Sequence, residues 1–178
     1  MLLVSCLAGS ASGESPAATG GAIQKRDIPS DIVRIARGEL DAGVGETPLG
    51  SDDSRQIAIY RGALIPRFRP APWCAIFVSW VTKSAGAPIG RRGRGIASAA
   101  GIASWAQRTG RWTHRPRAGD VAVYVGHAGI VASVNGSHMV TIEGNWSNRV
   151  SELNRRQGEA LGFARVAVGD HPTWRGGR

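Results

Sequence analysis

Asp120-Val121-Ala122-Val123-Tyr124-Val125, Ala128-Gly129-Ile130-Val131-Ala132-Ser133-Val134 and His138-Met139-Val140-Thr141-Ile142-Glu143 decide the fold. Each is a short run rich in β-branched residues, apolar at alternate positions or throughout, which is the pattern of a strand and too short for a buried helix. Asn135-Gly136, between the second and third runs, is a two-residue hairpin signal. The three are therefore expected as successive antiparallel strands. Arg149 to Leu153 and Gly162-Phe163-Ala164-Arg165-Val166-Ala167 extend the pattern by two further strands.

Upstream of this meander the apolar period is helical. Ser30 is the expected N-cap of a first helix in which Ile32, Ile35, Ala36 and Leu40 share a face, and Asp31 suits the positive end of its dipole. Gly43, Gly45, Pro48 and Gly50 break the chain, and Asp53 or Ser54 can cap a second short helix through Ile57, Ala58 and Tyr60. Pro66 to Pro72 must be an extended loop, because each proline excludes its predecessor from the helical region. A third helix follows from Trp73-Cys74 through Phe77, Trp80, Val81 and Ser84, closed by Gly86. A fourth, capped by Ser98, carries Ala99, Ile102, Ala103, Trp105 and Ala106 and stops at Gly110. Helices first and strands afterwards make an α+β domain, with N-terminal helices packed on a C-terminal antiparallel sheet.

The chain of 178 residues suits one domain, placed at residues 28–168. With 42% hydrophobic and 20% charged residues it is not disordered in bulk, and no apolar run approaches the roughly 20 residues of a spanning helix. In residues 1–27 a short apolar start, Met1-Leu2-Leu3-Val4-Ser5-Cys6-Leu7-Ala8, gives way to a stretch of Gly, Ala, Ser, Pro and Thr that cannot pack a core. They read either as a truncated signal segment, in which Leu3-Val4-Ser5-Cys6 is like a lipoprotein box and Cys6 a membrane tether, or as a disordered tail. Residues 169–178 form a basic tail. Lys and Arg number 22 against 13 acids, and the formal charge of +9 favours polyanionic partners: nucleic acid, anionic lipid or an acidic wall polymer.

If the tail is removed or lipidated, Cys74 is a lone thiol in the first turn of a helix. Unpaired N–H groups and the dipole there lower a thiol pKa and offer donors to an oxyanion. A core thiol packed by Trp73 and Phe77 is the competing reading, and it would win if the chain held no base. His127, in Gly126-His127-Ala128-Gly129, is such a base, set among small residues that allow close approach. His114, His138 and His171 read as surface residues. Glu143 is expected across the hairpin from His127, with Asn145 two residues on. Either can accept the second imidazole N–H, but only the carboxylate also stabilises the imidazolium, so Glu143 is assigned as orienter and Asn145 as a secondary polar group. No Cys/His cluster has zinc spacing, Asp52-Asp53 lacks a calcium-loop frame, and Gly93-Arg94-Gly95 lacks the strand of a dinucleotide loop; no metal or cofactor is expected.

Four stretches taken together, Trp73-Cys74-Ala75-Ile76-Phe77-Val78-Ser79-Trp80, Gly119-Asp120-Val121-Ala122-Val123-Tyr124, Gly126-His127-Ala128-Gly129-Ile130-Val131 and Glu143-Gly144-Asn145, resemble the CHAP domain, the cysteine, histidine-dependent amidohydrolase/peptidase family of bacteria and their phages. The resemblance covers roughly Ile28 to Val168. It implies a papain-like core aimed at peptidoglycan amides, with Cys74 as nucleophile, His127 as base, and Glu143 and Asn145 completing the site. Ala118 departs from the Pro common before Gly-Asp, and the turn between Val125 and His127 is short. The expectation is a monomeric, cofactor-free thiol hydrolase, secreted, periplasmic or surface-tethered, with peptidoglycan or another anionic wall polymer as partner. An inactive wall-binding module of the same fold is the alternative. A nucleic-acid binder is a weaker one, suggested only by the charge and by Arg67-Phe68-Arg69.

Overall fold

The structure, a computed structural model, describes residues 27–62, 64 and 69–166. Helix α1 (Ile28–Asp41) begins at Asp27, whose carboxylate accepts from the Ser30 amide and the Ser30 hydroxyl. The cap is therefore Asp27 rather than Ser30: Pro29 already has the φ of a first-turn residue and lacks the N–H that a helix start would leave unpaired. Helix α2 (Arg55–Gly62) is capped by Ser54, whose hydroxyl accepts from the Ile57 amide. Helix α3 (Cys74–Ser84) follows the proline loop, of which residues 66–68 lie outside the described residues. Helix α4 (Ala99–Arg108) is capped by Ser98 as its sequence predicts.

The sheet contains β1 (Trp112–Thr113), β2 (Val121–Tyr124), β3 (His127–Asn135), β4 (His138–Trp146), β5 (Arg149–Arg156) and β6 (Gly162–Ala164). Their order in space is β1-β6-β2-β3-β4-β5, antiparallel throughout among the described residues. The short β1 was not legible in the sequence, and β5 runs three residues beyond the expected Leu153. β6 ends at Ala164, earlier than its apolar pattern suggested. The β3–β4 turn is centred on Gly136-Ser137, since Asn135 already pairs with His138. Gly136 has φ 55° and Ser137 is not left-handed, so the glycine supplies the first central position of the turn.

Helix α3 is the centre of the molecule. Cys74 to Ser79, Val81 and Thr82 are all buried. Val121, Val123, Ala128, Ile130 and Ile142 of the sheet, Ile32 and Ala36 of α1, and Ile57 and Tyr60 of α2 share its core. Its N-terminal end is held by an aromatic cluster: Tyr60 lies 6.1 Å from Trp73, 5.6 Å from Phe77 and 4.7 Å from Trp80. Such pairs contribute about 0.5–1.5 kcal/mol each beyond their burial. Gly144 lets α3 approach β4 closely, because a Cβ there would stand 2.6 Å from Phe77 Cβ and 2.8 Å from Trp73. Ser79 pins the loop of residues 90–96, which carries Arg91, Arg92 and Arg94, to the helix by donating to the Ile96 carbonyl and accepting from its amide. The opposite face of the sheet carries its own apolar cluster of Ala122, Tyr124, Val131, Met139 and Phe163.

Candidate active site

Cys74 is the first residue of α3, and the residue before it, Trp73, makes no side-chain cap. Its indole N–H instead donates to the buried Glu46 at 3.0 Å. The first-turn amides of α3 are therefore not consumed by a capping side chain, and that of Ala75 bonds the thiol. Burial pushes the Cys74 thiol up, but the hydrogen bond and charge of His127, followed by the amides of Ala128 and Ala75, outweigh it and hold the thiol below its ordinary value. Cys74 is the free cysteine of the described residues. Cys6 lies outside them.

His127 opens β3, pairing with Tyr124 across the tight turn at Gly126. Its Nε2 lies 2.8 Å from Glu143 Oε2, so Nδ1 is the nitrogen left for the Cys74 sulfur. Burial alone would lower its pKa. The hydrogen bonds to Cys74 and Glu143, with their charges, raise it to about 9. A depressed thiol beside an elevated imidazole is the electrostatic signature of a thiolate–imidazolium pair.

Glu143 has no solvent exposure. β4 continues past it to Trp146, and β5 pairs alongside. All its acceptor capacity is used: Thr141 Oγ1 donates to Oε1 at 2.6 Å, Arg155 Nε to Oε1 at 3.1 Å, and Arg155 Nη2 to Oε2 at 3.0 Å beside His127. Burial pushes Glu143 up, yet His127, Arg155 and Thr141 together hold it below the ordinary carboxylate value. Its reach to His127 depends on Gly129. A Cβ at that position would lie 2.5 Å from Glu143 Cγ.

Asn145 does not join the ring of His127. A register shift between Glu143 and Trp146 takes it off the strand's alternation, its φ is 62°, and its Nδ2 donates to Asp52 at 3.3 Å. Asp120, in the Gly119-Asp120 motif, has a structural part: it accepts from the Arg117 amide and pairs with Arg165 at 3.1 Å, fixing the start of β2. His114 and His138 are exposed; His171 lies outside the described residues.

Sequence reasoning missed Thr141, Arg155 and Trp146. Thr141 was within reach, since two residues before Glu143 on a strand is the same face. Trp146 stands with its ring centroid 5.6 Å from that of His127, and the Arg155 guanidinium lies 4.4 Å from the Trp146 centroid and 4.9 Å from that of Tyr124. Nothing local in the sequence marks these contacts, because they need the register of β5. No group of three or more His, Cys, Asp or Glu among the described residues could hold a metal ion.

A cysteine at an uncapped helix start, a histidine opening a strand of the sheet and a buried carboxylate behind it meet within an α+β domain. The family model of the CHAP domain matches residues 67–145, a span that includes all four of Cys74, His127, Glu143 and Asn145. Two crystal structures of Ly7917, one of them with the hydrolyzing product of MDP, are similar at TM-score 0.40. They are 16% and 15% identical, and the likeness covers 76% of this chain and 61% of that one. No curated protein sequence matches the chain.

Proposed function

We propose that this protein is a thiol hydrolase of bacterial cell-wall peptidoglycan, cutting an amide within the stem peptide or cross-bridge or at the sugar–peptide junction. The observation that carries the reading is the relay from Cys74 through His127 to the buried Glu143, built on the uncapped start of α3 within the span that the CHAP-domain model matches. In this reading the Cys74 thiolate attacks the amide carbon, and first-turn N–H groups of α3 receive the developing oxyanion. The His127 imidazolium gives its Nδ1 proton to the leaving amine. The acyl group is then held as a thioester on Cys74, water attacks it as His127 takes back a proton, and the carboxylic acid leaves. Glu143 holds the ring and offsets the imidazolium charge throughout.

The arginine excess supports a polyanionic wall as the partner, since exposed cations concentrate a protein on such a surface and salt screens the effect. Secretion or surface display belongs to the same proposal, with Cys6 as the tether if the N-terminal segment is processed. The test is digestion of purified peptidoglycan, with mass spectrometry of the released muropeptides to locate the cut bond. Solubilisation by the wild type and none by Cys74→Ala is the expected result. Binding to the wall without release of fragments by the wild type would sink the enzyme reading and leave a wall-binding module.

A further inference from the structure

We propose that Arg155 is a positioning residue of this site, a guanidinium clamp that fixes Glu143 in the orientation His127 requires and keeps it ionised; the proposal rests on the catalytic reading of Cys74, His127 and Glu143. The geometry is a two-bond fork. Nε and Nη2 of Arg155 take the two oxygens of Glu143 at 3.1 and 3.0 Å, so the carboxylate plane cannot rotate without losing a charge-assisted bond. The third arm is held as well, with Nη1 donating to Glu159 at 3.3 Å. The guanidinium lies over the rings of Trp146 and Tyr124, at 4.4 and 4.9 Å from their centroids. With every donor arm engaged, the side chain is oriented toward holding Glu143 rather than toward capturing a substrate.

The need for such a clamp follows from burial. A carboxylate without solvent exposure is expensive to keep charged unless it is paired and hydrogen-bonded. His127 cannot serve as that fixed partner, because it gives up its proton to the leaving amine during each turnover. Arg155 keeps its charge at every step, so Glu143 remains ionised and ready to receive the imidazolium again. The charged or titratable groups around the carboxylate are His127 of β3, Arg155 of β5 and Tyr124 of β2; Cys74 of α3 lies beyond His127, and Glu159 beyond Arg155. Thr141 of β4 contributes a neutral donor.

The test compares Arg155→Met and Arg155→Lys with the wild type, each alone and in a Glu143→Gln background. One readout is the rate of iodoacetamide alkylation of Cys74 against pH, which needs no substrate. The other is the pH profile of kcat/KM on peptidoglycan. Arg155→Met is expected to lower kcat/KM by roughly 10–100-fold, the size of loss that follows when the hydrogen-bond partner of a metal-binding side chain is removed. It should also move the acid limb of both profiles to higher pH, as Glu143 begins to take up a proton. Arg155→Lys should restore the acid limb, since an ammonium supplies the charge, but only part of the rate, since it has no fork. In the Glu143→Gln background Arg155→Met should cost less than about threefold, because its partner charge is already gone. An unchanged acid limb with a uniform loss of rate would overturn the proposal and leave Arg155 a packing residue. So would equal losses in both backgrounds. A wild type that alkylates as expected but digests no wall would refute the substrate, while the alkylation profiles would still decide the role of Arg155.

Discussion

Replacing His127 by Gln removes the one group that the geometry makes responsible for a reactive Cys74 near neutral pH. The imidazole is raised from an ordinary 6.5 to about 9, which at ~1.4 kcal/mol per pH unit is about 3 kcal/mol of preference for the charged ring. Cys74 and Glu143 supply that preference, and coupling between two titrating groups is reciprocal, so what the thiolate gives the imidazolium it also receives. If half of it belongs to Cys74, the thiolate population at pH 6 falls roughly 20-fold in the variant; if all of it does, roughly 300-fold. The glutamine amide can fill the space but cannot carry the charge. The helix start and the amides of Ala75 and Ala128 remain, so reactivity should return at alkaline pH. The assay is the rate of iodoacetamide labelling of Cys74 from pH 5 to pH 10, read by mass spectrometry on the folded chain. Wild type should label well below neutral pH and the variant only toward the ordinary thiol range, about 8.5. Equal labelling rates at pH 6 would refute the pair, as would wild-type labelling that appears only after denaturation.

Cys74→Ala should abolish peptidoglycan hydrolysis and leave the circular dichroism unchanged, whereas Cys6→Ala should leave the activity as it is. Glu143→Gln should keep a fraction of the activity, since the amide still holds the ring, and Glu143→Ala should lose more; wild-type rates from Glu143→Ala would break the assignment, and His138→Ala should be neutral. Gly129→Ala places a Cβ 2.5 Å from Glu143 Cγ and should lower kcat/KM by about 100-fold or less with little change in KM, as a displacement of the carboxylate on the order of 1 Å would. The stabilisation that the raised His127 contributes is fully present below about 6.5 and is lost as the pH rises through about 9, so the difference in urea midpoint between wild type and His127→Gln should shrink over that window; a constant difference would contradict the raised value.

The helices were legible because their signals are local. Ser98 before an apolar face, the run from Trp73 to Ala85 and the glycine after it specify start, face and stop within a dozen residues, and α3 and α4 lie where those signals put them. The cap of α1 was misread because Ser30 and Asp27 both have the chemistry, and only the placement of Pro29 in the first turn decides between them. Strand positions were legible from alternation, but strand ends were not: β5 continues through Asn154 to Arg156 as a polar ladder beside β4, held by pairing rather than by any apolar pattern of its own. β1 has two residues and exists by pairing with β6, a contact about fifty positions away in the chain.

The site divides in the same way. Cys74 and His127 carry local signals, a helix start and a small-residue strand opening, and their meeting follows once α3 packs on β3. Glu143 and Arg155 are twelve residues apart, and their meeting depends on a count that no residue type announces. Glu143 pairs with Ser151 and Trp146 with Arg149, so two residues of β4 stand against one of β5, followed by a turn in which Ser147 and Asn148 both have positive φ. A strand side chain alternates faces with every residue. A slip of β5 by one position against Glu143 would turn Arg155 to the opposite face, leaving a carboxylate with no exposure and no permanent counter-ion. Glu143 would then take up a proton or swing toward water, and His127 would lose the charge that raises it. The register of β5 on β4, which sets Thr141, Glu143 and Arg155 on one face, is what allows a buried glutamate to serve this histidine.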